Sequence, residues 1–450
     1  MLGPFTKPPH VNPVIAPNPA VAWEAFATFN PAAVVKDRKI FLLYRAEDTS
    51  GVQQIGGHTS RLGLAESSDG LHFTRRATPV LYPDSDAQRQ NEWPGGVEDP
   101  RIVEADDGRY VVTYTQWNRD VPRLAVATSR DLITWTKHGP AFAHAAGGKY
   151  LRTESKSGAI LSRVQGDRVV ATRVNGRYWM YFGVPDLRIA TSDNLLDWTP
   201  VEDATGQAIK VLSPRAGYFD SWLVEGGPPA LLTEHGILVL YNAGSLPSRT
   251  YSAGQALFDP HDPTKLLARA DSAFIRPTES YERTGQYTAG TTFVEGLVPF
   301  KGRWYLYYGT ADSRVGVAMA ERQRAVSPVE QILGAWHGTS TCVDKQVDRA
   351  CRDEEVIYVI DSAAGPRGPV RWQADKIVNG ARELMGIVAL TYDSTARLWF
   401  FDITARFRGR WTLEVRGDSL VGDLRELPAD RRVRRANLRK CTSEIPQCPR

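Results

Sequence analysis

The sequence predicts an all-β protein: a five-bladed β-propeller over residues 14–325, then a small C-terminal β-barrel or β-sandwich over 332–450. Three observations predict it. Short aromatic strands ending in tyrosine recur five times at intervals of about 60 to 70 residues, the period of a four-stranded blade with its loops rather than of a helical solenoid. Helical periodicity of any length is absent. Past residue 325 the repeat stops while strand alternation continues, as in 355–360 and 410–415.

The aromatic strands are 39–44, 109–114, 177–181, 236–241 and 303–308. A second echo follows the first three: 68–73, 129–135 and 192–198 each place an Asp-containing turn before an aromatic residue, the pattern of a hairpin. The fourth and fifth repeats carry related alanine-rich strands, 253–257 and 315–319. In a propeller the innermost strand of each blade lines the central channel. The segments preceding the aromatic strands should therefore bring Asn30, Asp99, Lys156, Glu225 and Glu295 together, one from each repeat. The C-terminal region opens with Gly334-Ala335-Trp336-His337-Gly338 and shows no catalytic constellation. It reads as an accessory β-domain, structural or carbohydrate-binding.

Composition narrows the function. A hydrophobic fraction of 42% supplies a core, and 55 basic against 51 acidic residues leave no bulk charge to draw nucleic acid or a membrane surface. The one basic run, from Arg431 to Lys440, lacks interleaved aromatics and reads as a solvated tail. No apolar run has the roughly 18 residues of a membrane span. The four cysteines, Cys342, Cys351, Cys441 and Cys448, allow three pairings and are expected to form disulfides. That implies a periplasmic or secreted protein whose leader lies outside this numbering, with a cytoplasmic location left open. There is no Walker loop, dinucleotide fingerprint, HExxH or GxSxG motif, so no cofactor or metal is expected.

Carboxylates in a polar channel remain. Glycoside hydrolysis uses two, one protonated to assist the leaving oxygen and one ionised to activate water or attack the sugar. Asp99, in Gly96-Val97-Glu98-Asp99-Pro100-Arg101, is the first candidate for the acid, and Glu225 and Glu295 are the candidates for the base. Solvated turns before Pro100 and before Gly226-Gly227-Pro228-Pro229 are the plain alternatives for the first two. Glu295 has apolar flanks, so it either faces the channel or is buried at a cost. Arg45 and Asp312 each end an aromatic strand and suit sugar hydroxyls, or a salt bridge closing the propeller. Trp93, Trp117 and Trp222 are candidates for stacking on a sugar.

These motifs resemble glycoside hydrolase family 130. Phe29-Asn30-Pro31-Ala32-Ala33-Val34, Leu43-Tyr44-Arg45-Ala46, the hexapeptide around Asp99, Gly226-Gly227-Pro228-Pro229, 259–269 and Tyr307-Tyr308-Gly309-Thr310-Ala311-Asp312 occur in the family's order. The resemblance covers about 14–325. It implies a five-bladed propeller acting on β-mannosides, mostly by inverting phosphorolysis and in one branch by hydrolysis. Asp99 matches the family's acid, thought to act through a sugar hydroxyl. Asn30, Arg45 and Asp312 match sugar-binding positions, and Arg101, Lys156, Trp222 and Asn242 complete the expected substrate-binding set. The departures point to the hydrolase branch: Leu223 stands where the phosphorylases have lysine, Tyr241-Asn242-Ala243-Gly244 where they have Tyr-His-Gly, and Phe182-Gly183-Val184 where they have His-Arg-Pro. Of the basic phosphate-binding group only Lys156 remains. The expectation is an inverting β-mannosidase acting on β-1,2-linked manno-oligosaccharides, with a β-mannoside phosphorylase or a non-catalytic carbohydrate-binding propeller as alternatives.

Overall fold

Tyrosine burial sets the pattern of the N-terminal unit. In the computed structural model, which describes residues 1–52, 54–322, 327–362, 368–404, 407–441 and 448, the repeat tyrosines Tyr44, Tyr114, Tyr181, Tyr241 and Tyr308 are all fully buried. Each hydroxyl donates to an acceptor brought in by a loop: Glu24, Glu92, the Pro263 carbonyl, Asp220 and Glu282. A buried phenol needs such a partner. Room for the ring comes from the next strand, where Gly63, Gly254 and Gly316 face Tyr44, Tyr241 and Tyr308. A Cβ there would lie 2.4, 2.4 and 2.6 Å from the ring.

The chain divides into two compact units, Met1–Gln323 and Arg324–Arg450. The first is a succession of antiparallel meanders. Ala27–Lys36, Lys39–Glu47, Ser60–Ser67 and Thr74–Arg75 form the first, and Gly96–Glu104, Tyr110–Trp117, Pro122–Ser129 and Thr136–Pro140 the second. The third is Ala159–Ile160, Arg177–Phe182, Leu187–Ser192 and Thr199–Pro200. The fourth is Leu223–Gly226, Gly236–Gly244, Tyr251–Phe258 and Leu266–Arg269. The last, Phe293–Phe300, Arg303–Thr310 and Arg314–Glu321, gains an outer edge from the N-terminus, whose Thr6 and Ile15 bridge Met319 and Val315. Hydrophobic clusters join each meander to the next, and the last to the first through Leu42, Tyr44, Val298 and Tyr307. The predicted hairpins share one device: Asp69, Asp131 and Asn194 each accept two backbone N–H groups and a serine hydroxyl.

In the second unit, eight antiparallel strands from Gly334–Cys342 to Arg431–Lys440 close into a barrel, the last pairing with the first. Barrel and sandwich were both open from sequence, and the barrel is what forms. The basic run is a correction. Arg431–Lys440 is a barrel strand rather than a tail, with Val433, Ala436 and Leu438 turned inward and Arg431, Arg432 and Arg434 paired to Glu426, Asp423 and Glu354. The cysteines pair as Cys342–Cys351 and Cys441–Cys448.

Candidate active site

Backbone bulges build the site. Where Asn30-Pro31 and Asp99-Pro100 occur in their strands, the register slips between Phe29 and Pro31 and between Glu98 and Arg101. Proline has no N–H for the ladder, and an unpaired residue at a bulge re-aims its side chain. Asn30 and Asp99 adopt φ 46 and 49, and Asp312 at the end of its strand adopts φ 48. The three side chains then line one cavity of about 260 Å³, together with Arg45, Lys156 and Glu225.

Arg45 organises one side. Its Nη2 lies 2.7 Å from Glu47 and 2.9 Å from Glu98, and its Nη1 lies 3.1 Å from Asp99. Asn30 Nδ2 donates to the same Asp99 oxygen at 2.8 Å. Across the cavity Lys156 Nζ sits 3.1 Å from Glu225 Oε1, to which Ser157 Oγ also donates. Two cations thus face six carboxylates: Glu47, Glu98, Asp99, Glu154, Glu225 and Asp312. Phe29, Trp117, Tyr251, Tyr287 and Phe293 supply flat apolar surface of the kind that suits a sugar ring.

Burial and charge separate the acids. Desolvation alone would raise Asp99, but Arg45, Lys156, Arg101 and the Asn30 hydrogen bond outweigh it and bring the group down to about 2. Glu98, next in sequence, is pushed up to about 7 by burial, against Arg45 and with the help of the neighbouring Asp99 and Glu47 charges. Asp312 is likewise raised to about 7, chiefly by burial. Lys156 is raised despite burial, because Glu225 and Asp99 favour its charge. Glu98 and Asp312 are therefore the groups of this cluster that hold a proton up to about neutral pH. The same charges favour the anionic form of Asp99, so a proton it delivers has to come to it from a neighbouring acid or a sugar hydroxyl.

Four expected site residues do not line the cavity. Glu295, at a third register slip, is fully buried beneath it, with Oε1 2.9 Å from Arg101 Nη1. Burial pushes its carboxyl well above the usual range, and neither oxygen makes a hydrogen bond among the described residues. Arg101 acts from below, donating to the carbonyls of Asp99, Gly226 and Gly227. Asn242 clasps the next meander through both Val294 backbone groups, at 3.0 and 2.7 Å. Trp222 packs edge-on against Tyr251, under Arg249. Of the stacking candidates Trp117 lines the cavity, whereas Trp93 stacks under Arg89 at the surface.

Glu47, Glu98, Tyr251 and Tyr287 were not singled out for the site. Glu47 was readable: it is two residues after Arg45 on one strand, so both side chains share a face. Tyr251 and Tyr287 carried no such signal. Among the described residues, no group of three or more His, Cys, Asp or Glu could hold a metal ion.

Comparison with known proteins identifies the family. A model of glycoside hydrolase family 130, described as beta-1,4-mannooligosaccharide phosphorylase, matches residues 12–330. The chain belongs to glycoside hydrolase family 130. Among its family 130 relatives is the 1,2-beta-oligomannan phosphorylase of Thermoanaerobacter sp. (strain X514), 31% identical over 69% of this chain and 95% of that protein. A glycosyl hydrolase from Bacteroides ovatus is 53% identical, with a TM-score of 0.70, over 72% of this chain and 95% of its own. A third protein, 51% identical over 72% of this chain and 97% of its own with a TM-score of 0.70, comes from a study of family 130 glycoside hydrolases that target beta-1,2 mannosidic linkages in Candida mannan.

Proposed function

We propose that this chain is an inverting glycoside hydrolase that releases mannose from β-mannosides, in particular β-1,2-linked manno-oligosaccharides. The reading rests on one observation: both cations of the cavity, Arg45 and Lys156, are already matched by carboxylates. Phosphate is a dianion that needs several charge-assisted donors. A wall of six carboxylates disfavours it and suits water. The relative whose study concerns β-1,2 mannosidic linkages, at 51% identity, supports the same reading. The meanders, joined in a ring by their shared cores, are then the blades of a five-bladed propeller around the cavity.

In the proposed mechanism Glu225, steadied by Ser157 and Lys156, takes a proton from water as the water attacks the anomeric carbon. Glu98 and Asp99 titrate as a pair that keeps one proton to about pH 7. That proton reaches the leaving oxygen through a sugar hydroxyl seated at Asp99, whose electrostatic environment favours a hydroxyl donor. The paired cysteines support a periplasmic or secreted location, since disulfides persist in oxidising compartments.

A β-mannoside phosphorylase is the second reading, favoured by the name of the 31% identical relative and by the partly exposed Lys156. Incubation with β-1,2-mannobiose, with and without phosphate, separates the two. Free mannose at equal rates in both supports hydrolysis, and mannose 1-phosphate formed only with phosphate overturns it.

A further inference from the structure

The C-terminal barrel holds a cavity of its own, of about 280 Å³, walled by Tyr358, Trp372, Val388, Phe401 and Trp411 with Met385 at its edge. Closed eight-stranded barrels have an interior that side chains just fill or that holds one small ligand. Here the inward residues leave space, because Ala374 and Gly386 face each other across neighbouring strands where larger side chains would close it. The volume lies just below the roughly 300 Å³ at which ordinary small-ligand pockets begin.

Three features say what would fit. First, the wall is aromatic: Trp372 meets Tyr358, Phe401 and Trp411 at 4.7, 5.1 and 5.7 Å in edge-to-face contacts. Second, the charged groups at one end are already satisfied. Arg434 is paired to Glu354 at 2.8 Å and donates to the Ser340 and Arg352 carbonyls, so a charged ligand finds no free counter-charge there. Third, Trp372 is 3% exposed, yet its indole N–H has no hydrogen-bond partner among the described residues. A buried donor without a partner is costly, and a ligand acceptor removes that cost.

Part of one strand beside the cavity is open to solvent. Ala381–Asp393 pairs along Val370–Val378, but among the described residues its ladder to Leu398–Ile403 covers only Thr391, Tyr392 and Asp393. Beside the stretch unpaired on that side, Leu384, Met385 and Ile387 are 59%, 43% and 47% exposed, and Met385 also borders the cavity. Apolar side chains at the mouth of an apolar cavity favour an apolar entrant.

We propose that the C-terminal barrel binds a small, neutral, predominantly apolar molecule with one hydrogen-bond acceptor, which enters past Met385 and is received by the Trp372 N–H. A sugar is disfavoured, since most of its hydroxyls would meet the aromatic and aliphatic wall, and the polar end formed by Ser340, Glu354 and Arg434 is already paired.

The probe is 2-acetylnaphthalene, an aromatic ketone, titrated into the full chain and followed by calorimetry, with 2-ethylnaphthalene as the analogue lacking an acceptor. The expected result is saturable one-to-one binding of the ketone, weakened at least about fivefold by Trp372→Phe while the hydrocarbon is unaffected, as loss of one hydrogen bond implies. Ala374→Leu, which fills the cavity, should abolish binding of both while mannoside turnover stays unchanged. Circular dichroism checks that each variant is folded. Absence of saturable binding, equal binding by folded Ala374→Leu, or an Ala374→Leu-sensitive affinity for mannobiose but not for the ketone would each overturn the proposal.

Discussion

Glu225→Gln is the substitution that bears most directly on the chemistry. The amide keeps an oxygen to accept from Ser157 and Lys156, so the site's shape is preserved and the loss reports the carboxylate's proton-accepting role. General-base catalysis contributes typically 10²–10⁴-fold, which is about 3 to 5 kcal/mol of barrier. The substitution also cancels the attraction across the 3.1 Å contact to Lys156, about 5 kcal/mol gross at an effective dielectric constant of 20. Lys156 then has charge available for a small anion. The assay is the initial rate of mannose release from β-1,2-mannobiose, with and without azide, a nucleophile that needs no base. The variant should lose about 10²- to 10⁴-fold in kcat without azide and regain turnover with it, yielding the α-mannosyl azide. A kcat within about tenfold of the unsubstituted protein would show that the base lies elsewhere.

The pH profile follows from the raised acids. With Glu98 and Asp312 at about 7, kcat/KM should fall as pH rises through that value and the proton is lost. A folded-state pKa raised above the unfolded one stabilises fully below the unfolded value and is lost on the way up, so the melting temperature should decline from about pH 5 to pH 7. Glu98→Gln should flatten that decline. Glu295→Gln should change kcat by less than about tenfold, since Glu295 does not line the cavity, whereas Arg101→Met, which strips three carbonyls and Glu295 of their cation, should cost about 3 to 5 kcal/mol in urea unfolding. Gly309→Ala would put a Cβ 1.9 Å from Asn30 Oδ1 and displace the donor to Asp99, so kcat/KM should drop by about tenfold or more with the fold retained, as judged by circular dichroism.

How far the sequence could be read depended on whether a residue's role is local. The repeat tyrosines and the Asp turns are local devices, and the structure has them at the expected positions. Asn30, Asp99, Glu225 and Asp312 could be picked out because each combines a polar side chain with the end of a strand or a proline or glycine that bends the backbone. Glu295 could not be told from Glu225 by these criteria. Both precede glycine on a first strand, and only the register slip at Val294–Gly296 turns Glu295 down onto Arg101. The protonation pattern was out of reach for a related reason. It arises from Arg45 meeting three carboxylates from two meanders, a meeting that no single stretch encodes. Asn242 illustrates the converse: its position matches a functional one in the resemblance, but here the side chain is spent on Val294.

The central claim is that water, not phosphate, attacks the mannoside. It is tested by following β-1,2-mannobiose by proton NMR in phosphate-free buffer made with ¹⁸O-labelled water. The account predicts that α-mannose appears first, with the label at its anomeric oxygen. No mannose without phosphate, and α-mannose 1-phosphate once phosphate is added, would contradict it.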